Sequence, residues 1–378
     1  MKNHLMFIAL IIICCVSCAK QTEQIGILET VLASENPNIK TVMDDLERYQ
    51  VQIRYTRIDR RNDSVLFTAY DFQVNDSLYF YPASTVKFPA AVAALEQLNQ
   101  TDTLDRDTRF YIEGDSVETT FSNEISKIFA VSDNAANNRL VEFLGQDAIN
   151  ERLRNRGVGP VRIAHRLGYR SDDVTTLPLI VYLNDSTTAT TVPTINSVIR
   201  PLDLKGTEKG KGYYEDDALV SEPFDFKLKN YFPLSAQQEL LKRIVFPKAF
   251  PKNERFDLSD DQRDFLLTAM HSLPKTVGYD AETYYDSYCK FFMFGDKKDP
   301  IPDTIKIYNK VGFAYGTLTD NAYIVDDTNK VEFLISATLL VNRNGIFNDD
   351  QYEYEEIGIP FLAELGRALY DLEAKRRK

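Results

Sequence analysis

Strand-like segments lie at both ends of this chain and helix-like segments fill the middle, so a single sheet has to be assembled from residues far apart in sequence. Val51, Ile53 and Tyr55, then Val65, Phe67 and Ala69, occupy alternate positions on either side of Asp59-Arg60-Arg61-Asn62-Asp63. That is the pattern of two antiparallel strands joined by a charged turn. Three more strands are expected at Thr304–Val311, Asn321–Asp326 and Val331–Val341, followed by a helix from about Ile357 to Leu372. Between the two ends, Ala90 to Ala94 with Leu95 and Leu98 form a helix-favouring run apolar enough to be buried on most sides. Further helices are expected over Ile125–Val131, Asn137–Leu144 and Asp147–Arg154, with Gly145 and Gly157 as stops, and again from near Ser235. The pattern predicts one mixed α/β domain whose sheet is completed late.

Two stretches fit this scheme less simply. Gln21 to Tyr49 reads as helix interrupted at Asn36-Pro37-Asn38. Ser171 to Asn230 has no clear periodicity and reads as a long loop or insertion. With 44% hydrophobic and 12% aromatic residues, the 378-residue chain has ample material for a core, which argues against disorder. A net charge of -12 without a basic stripe argues against nucleic acid as a partner.

The first residues carry Lys2, an apolar run from Leu5 to Val16, then Ser17 and Cys18. The run is too short to span a bilayer and reads as a secretion signal. Cleavage before Cys18 resembles the lipobox of bacterial lipoproteins, with Cys15 an unusual residue at its first position. The expected organisation is a signal peptide over 1–17, a lipid-anchored tether and the start of the N-terminal helix over 18–40, and a domain over 41–378 containing the 171–230 insertion. The mature protein would be exported and held by lipid on Cys18 at a membrane, facing the periplasm. The Cys15 to Cys18 spacing also matches a redox or metal pair, but a leader has no fold to hold one and no second pair follows. Processing leaves Cys18 and Cys289, so no internal disulfide forms if Cys18 is acylated. Neither a metal nor an organic cofactor is implied.

Ser84-Thr85-Val86-Lys87 stands where the hairpin gives way to the buried helix, which sets a hydroxyl and an amine one turn apart on one face. Serine is a weak nucleophile that needs a base, and a lysine desolvated among Phe80, Tyr81, Val86 and Phe88 can give up its proton and serve. Unpaired N–H groups at the helix start, Ser84's included, can stabilise an oxyanion. The bland reading is an N-cap serine and a solvated amine. Later come Ser132-Asp133-Asn134 between two helical patterns and Lys310-Val311-Gly312 at a strand end, each ordinary turn or strand-end sequence by itself. Together, in order and in these contexts, they favour chemistry. A Ser-His-Asp triad is the weaker rival, because only His165 and His271 survive processing and no G-x-S-x-G or H-E-x-x-H motif is present. His165, beside Ile163 and Ala164, reads as structural.

These three sites resemble the S-x-x-K, S-D-N and K-T-G signatures of class A β-lactamases and penicillin-binding proteins. Tyr315-Gly316-Thr317 and Asp320-Asn321-Ala322 are similar to that family's paired terminal strands, and the likeness runs from about Gln52 to Leu369, the insertion excepted. The resemblance implies an α/β (α+β) fold of the β-lactamase/transpeptidase-like kind: a five-stranded antiparallel sheet flanked by helices, with a helical lobe and the site between. It implies acyl transfer from an amide to Ser84, with Lys87 beside it, Ser132 relaying a proton to the leaving nitrogen, Asn134 holding the substrate amide and Lys310 attracting a carboxylate. Gly312 would keep the strand edge open, the backbone N–H groups of Ser84 and Phe313 would bind the oxyanion, and Thr317 would add a hydroxyl. The implied partner is a small-molecule β-lactam or a peptidoglycan peptide. β-Lactam hydrolysis is the first reading, D-Ala-D-Ala-type peptidase or transpeptidase action the second, and an inactive envelope-binding lipoprotein a third.

Three departures qualify the resemblance. Class A enzymes carry, on a loop after the S-D-N site, a Glu-x-x-x-Asn arrangement that activates the deacylating water, and no such loop is found here. Glu222 stands in a plausible order but is followed at the fourth place by Phe226, and Asp172 and Asp173 are rivals; all three read as solvated loop charges. Val311 replaces a threonine. Pro89 cannot donate to the carbonyl of Thr85, so the helix is expected to begin irregularly or to tighten.

Overall fold

A computed structural model describes residues 26–62 and 64–376. The leader, Cys18 and the beginning of the tether lie outside the described residues. Among those described, no helix is long and apolar enough to cross a membrane.

Three short helices open the chain: α1 (Ile27–Leu32), α2 (Pro37–Met43) and α3 (Leu46–Tyr49). The break expected at residues 36–38 is the start of α2, where Asn36 accepts the Asn38 N–H and Pro37 fills a position that needs no donor. A hairpin follows, β1 (Gln52–Arg61) and β2 (Ser64–Phe72). Its turn is shorter than the sequence suggested. Asp59, Arg60 and Arg61 continue the strand opposite Leu66, Val65 and Ser64, because their charges find partners along the sheet: Arg60 donates to Glu332 at 2.9 Å and Asp59 accepts from Arg376 at 2.7 Å.

A 3₁₀ turn, Ala83–Val86, leads into α4 (Lys87–Asn99), so the tightening required by Pro89 is present. Next come β3 (Arg109–Ile112), β4 (Thr119–Thr120), α5 (Phe121–Ala130), α6 (Asn134–Leu144) and α7 (Gln146–Asn155). The segment read as a long loop carries short strands: β5 (Leu179–Asn184), β6 (Thr187–Thr190), β7 (Glu208–Lys209), β8 (Gly212–Glu215), β9 (Ala218–Val220) and β10 (Phe224–Asp225). Strands this short leave too few residues for an alternating pattern to be legible. Then follow α8 (Leu234–Val245), α9 (Asp260–His271), the single turn α10 (Phe291–Phe294), β11 (Ile305–Ala314), β12 (Thr317–Asp326), β13 (Val331–Leu340), β14 (Ile346–Phe347) and α11 (Ile359–Arg376). Helix α9 was not anticipated, although Ser259 and Gln262 form a capping box at its start.

The main sheet has the order β11-β12-β13-β1-β2, with every neighbouring pair antiparallel. Strand β1 lies against β13, with Ile53 opposite Ala337 and Tyr55 opposite Ile335, so the N-terminal hairpin docks on the C-terminal strands as the pattern required. One core joins the sheet to the central helices through residues such as Val92, Leu95, Phe121, Leu140 and Leu240. A second, including Val42, Ile53, Val311, Ile335 and Leu365, lies beneath the N-terminal and C-terminal helices. From Lys87 to Leu95 every residue of α4 is buried, and each fully buried leucine or phenylalanine contributes roughly 1.5–3 kcal/mol. The turn bearing Ser84 is therefore fixed by a helix whose first nine residues are all buried.

A buried ion pair secures the chain facing that turn. Arg166 and Glu142, the latter on α6, have inaccessible side chains and pair through Nε and Nη2 to the two carboxylate oxygens. Arg166 also donates to the carbonyls of Asp173 and Thr175 at 2.6 and 2.8 Å, and Glu142 accepts the Leu177 N–H at 2.7 Å. Removing one partner leaves the other as an uncompensated buried charge. Arg166→Ala is expected to lower unfolding free energy by about 3–5 kcal/mol, measured by urea denaturation; a loss under about 1 kcal/mol, the value of an exposed pair, would contradict the clamp.

Candidate active site

The 3₁₀ turn begins with Ala83 at a φ of 48°, a left-handed conformation that side chains rarely adopt. It presents Ser84, half-buried, to a cleft of about 410 Å³. Among the described residues no hydrogen bond holds the Ser84 hydroxyl, which leaves it free to turn. The Ser84 N–H belongs to the first turn, where amides have no acceptor within the helix.

Lys87, one turn on, is fully buried. Its amine meets the Ser132 carbonyl and lies 3.2 Å from the Ser132 hydroxyl. The amine of Lys310 reaches the same hydroxyl at 2.8 Å. Ser132 holds that position in a left-handed conformation, φ 59°, and the following Asp133 caps α6 by accepting the Ala136 N–H at 2.8 Å. With both lone pairs of the Ser132 oxygen facing amines, its proton is free to be given to a group in the cleft. The structure thus brings together Ser132, Lys87 and Lys310 from three separate segments.

Strand β11 is an edge strand. Its hairpin with β12 turns through Tyr315 and Gly316, both at positive φ (53° and 71°), with Ala314 opposite Thr317. A two-residue turn of this type closes on a hydrogen-bonded pair, and pairs alternate from there. Gly312 and Lys310 therefore bond to β12, whereas Phe313 and Val311 direct their N–H and C=O groups to the open edge. The Lys310 amine takes the Val311 carbonyl at 2.8 Å, as that register demands. A Cβ on Gly312 would lie 2.7 Å from the Pro82 carbonyl oxygen and 2.9 Å from the Ser84 nitrogen. Only glycine lets the strand edge come this close to the turn, and the Ser84 and Phe313 N–H groups border the same opening. Val311 points into the second core and offers the cleft no hydroxyl.

Burial and mutual repulsion set the proton affinities. Burial, then the nearby Lys310 charge, holds the Lys87 amine well below the usual lysine value; burial pushes Lys310 down to about 8. Behind them, Lys290, itself pushed down to about 8 by burial, donates to Asn309 at 2.7 Å, and Asn309 donates to Asp320 at 2.9 Å. Asp320, raised to about 6 by burial, accepts the Phe291 N–H at 3.2 Å. This network ties β11 and β12 to α10 directly beneath Lys310. Cys289, buried beside it, has its thiol pushed up by desolvation.

Asn134, the first residue of α6, is exposed and lines the cleft. Thr317 shares the face of Lys310 and Gly312 but is buried and does not line the cleft. Glu222 and Asp172 are exposed on their loops and do not line it either. Asp173 accepts the Thr175 N–H at 2.8 Å and pairs with Arg170. His165 is structural: its Nδ1 bonds the Arg166 carbonyl at 2.6 Å and its Nε2 accepts the Asn230 N–H at 3.3 Å. Sequence reasoning missed the far wall of the cleft, where Asp350, Tyr352 and Tyr354 join Tyr315. No local pattern in the sequence marks these residues as part of a site. Among the described residues no group of three or more His, Cys, Asp or Glu side chains is placed to hold a metal.

Residues 38–211, which include Ser84, Lys87, Ser132 and Asn134, match the model of the beta-lactamase enzyme family. Among solved structures, the chain is similar to the beta-lactamase from Desulfarculus baarsii DSM 2075, at 17% identity and a TM-score of 0.51 over 90% of this chain and 97% of that one. It is similar to a class A beta-lactamase from Mycobacterium abscessus at 15% and 0.50, over 88% and 96%. It is also similar to L2 complexed with relebactam, at 14% and 0.52, over 91% and 98%. No curated protein matches the sequence. The matched segment, a little under half of the chain, is similar to the beta-lactamase enzyme family, and the chain as a whole has the β-lactamase-like fold of these neighbours. At such identities the neighbours speak for the fold, and any assignment of chemistry rests on the side chains described above.

The two lysines make a pH prediction. A base at Lys87 would have to be neutral, above its lowered pKa, and a carboxylate would be drawn to Lys310 only while that amine is protonated, below about 8. Acylation by a carboxylate-bearing amide should rise with pH through the Lys87 value and fall through about 8. In Lys310→Gln the repulsion is gone, so the rising limb should move to higher pH; a limb that stays in place would show that Lys310 does not tune Lys87.

Proposed function

We propose that this protein is a serine hydrolase working through an acyl-enzyme on Ser84, with β-lactam amides as its substrates. The observation that carries the reading is the Ser132 hydroxyl held between the amines of Lys87 and Lys310. Neutral Lys87 takes the Ser84 proton as Oγ attacks the amide carbonyl carbon. The oxyanion forms between the Ser84 and Phe313 N–H groups. Ser132 passes its proton to the departing nitrogen and recovers one from Lys87, while Lys310 holds the substrate carboxylate and Asn134 the acyl amide. Water then attacks the ester, with Lys87, again neutral, as the base of suitable proton affinity. That a structural neighbour is complexed with relebactam fits a small molecule in such a cleft.

A second reading, acyl transfer or peptidase action on a peptidoglycan stem peptide, is favoured by one observation. Among the described residues lining the Ser84 cleft the sole carboxylate is Asp350, and Gly168 faces Asn134 with no side chain to activate water. Slow release to water and transfer to an amine follow naturally from that. The leader adds that the protein is exported and anchored by lipid on Cys18 at the periplasmic side of a membrane.

A fluorescent penicillin followed by intact-mass measurement tests the proposal. A single adduct is expected on the wild-type protein and none on Ser84→Ala; Lys87→Ala should slow acylation by about 10²–10⁴-fold, the usual value of a general base. Glu222→Gln should leave turnover unchanged. Absence of an adduct and of turnover in folded wild-type protein would remove both enzyme readings and leave an envelope-binding lipoprotein.

A further inference from the structure

The cleft extends past Ser84 along the β11 edge, and its far wall has a composition that the reaction does not require. On the acyl-enzyme reading the leaving group and its carboxylate lie towards Lys310 and Ser132, which meet at 2.8 Å beside Lys87 and do not themselves line this cleft. An amide whose oxygen lies between the Ser84 and Phe313 N–H groups must then send its acyl portion the other way, towards Ala314 and Tyr315. That end is walled by Tyr315, Tyr352 and Tyr354, with the Asp350 carboxylate among them.

The wall is built before any ligand arrives. The Tyr354 hydroxyl accepts the Gly316 N–H at 2.8 Å, which fastens the ring to the hairpin turn, and its ring lies 5.4 Å from that of Phe313. The Tyr352 hydroxyl accepts the Asn348 N–H at 2.9 Å and closes the loop carrying Asp350 on itself. Tyr352 and Tyr354 stand with ring centres 5.4 Å apart. Gly316 admits this contact, since a Cβ there would lie 3.0 Å from the Tyr352 ring. The neighbouring Asp349 is occupied, bonding Asn344 at 2.6 Å and the Gln351 N–H at 3.0 Å. Asp350 is not engaged in this way. Among the described residues it makes no hydrogen bond and no ion pair, and no lysine or arginine lines this end of the cleft. A carboxylate without a cation among fixed aromatic rings is the composition that selects an ammonium group.

We propose that Asp350, with Tyr315, Tyr352 and Tyr354, forms a subsite for an ammonium group on the acyl side of the substrate, so that the preferred substrate is a zwitterionic amide with its carboxylate at Lys310 and its cation at Asp350. Peptides containing a diamino acid and β-lactams with an amino-substituted side chain share this chemistry. The inference rests on the acyl-enzyme reading for which end of the substrate lies where. Its recognition is separable from the chemistry.

The test uses three penicillins that differ in side-chain charge: ampicillin, with an α-ammonium; benzylpenicillin, with none; and carbenicillin, with an α-carboxylate. Second-order acylation rates, read by competition with a fluorescent penicillin, should fall in that order by roughly five- to tenfold per step, the combined scale of an exposed cation–π contact and an exposed ion pair. Asp350→Asn should collapse the order. Equal rates in the wild type, or an order that persists in Asp350→Asn, would overturn the subsite while leaving the acyl-enzyme intact. Calorimetric binding of the same compounds to Ser84→Ala reads the subsite without chemistry. The charge order should persist there, and its absence overturns the subsite even if no penicillin acylates the wild type.

Discussion

Two buried amines share one hydroxyl, and the arrangement of the whole lobe serves to keep them there. Lys87 and Lys310 both reach Ser132, and like charges so close in a poorly solvated place cannot both remain fully protonated at neutral pH. The protein resolves the conflict by giving them unequal surroundings. Lys87 sits at the start of a helix buried from Lys87 to Leu95, where burial and then the Lys310 charge hold it well below the usual lysine value, while burial pushes Lys310 down to about 8. Lys310 lies on a strand braced by Asn309, Lys290 and Asp320. One amine is left to accept protons and the other to attract anions, although both are lysines.

Much of this was legible in the sequence, for identifiable reasons. The hairpin, the apolar helix and the terminal strands are long enough for periodicity to be clear. They placed Ser84 between hairpin and helix and called for one late-completed sheet, which the family resemblance implied to be five-stranded and antiparallel. The structure brings Ser132 and Lys310 together as the motif order implied, and Pro89 forecast the 3₁₀ turn. The charged residues Asp59 to Arg61 misled, because their partners, such as Glu332 on β13 and Arg376 on α11, lie far away in sequence. The 171–230 segment was opaque since its strands are mostly two to four residues long.

The part of the cleft that sequence could not supply is its far wall. Nothing in Asp350, Tyr352 and Tyr354 marks them as neighbours of a serine more than two hundred and fifty residues earlier. Their position depends on two phenolic hydroxyls accepting backbone N–H groups, and on Gly316 leaving room for a ring. Such contacts are set by tertiary packing and leave no local periodicity. Helix α9 differs, since its capping box was written in Ser259 and Gln262.

The pairing of β1 with β13 also determines when the chain becomes reactive. Ser84 is made early, whereas the edge strand that supplies Lys310 and the Phe313 amide is made in the last quarter. A nascent or truncated chain therefore carries a serine no more nucleophilic than any other, with a fully solvated lysine beside it. Closing contacts this distant is slow compared with forming local helices. On the acyl-enzyme reading, completion of synthesis itself acts as the safety catch that keeps an unfinished molecule from being acylated.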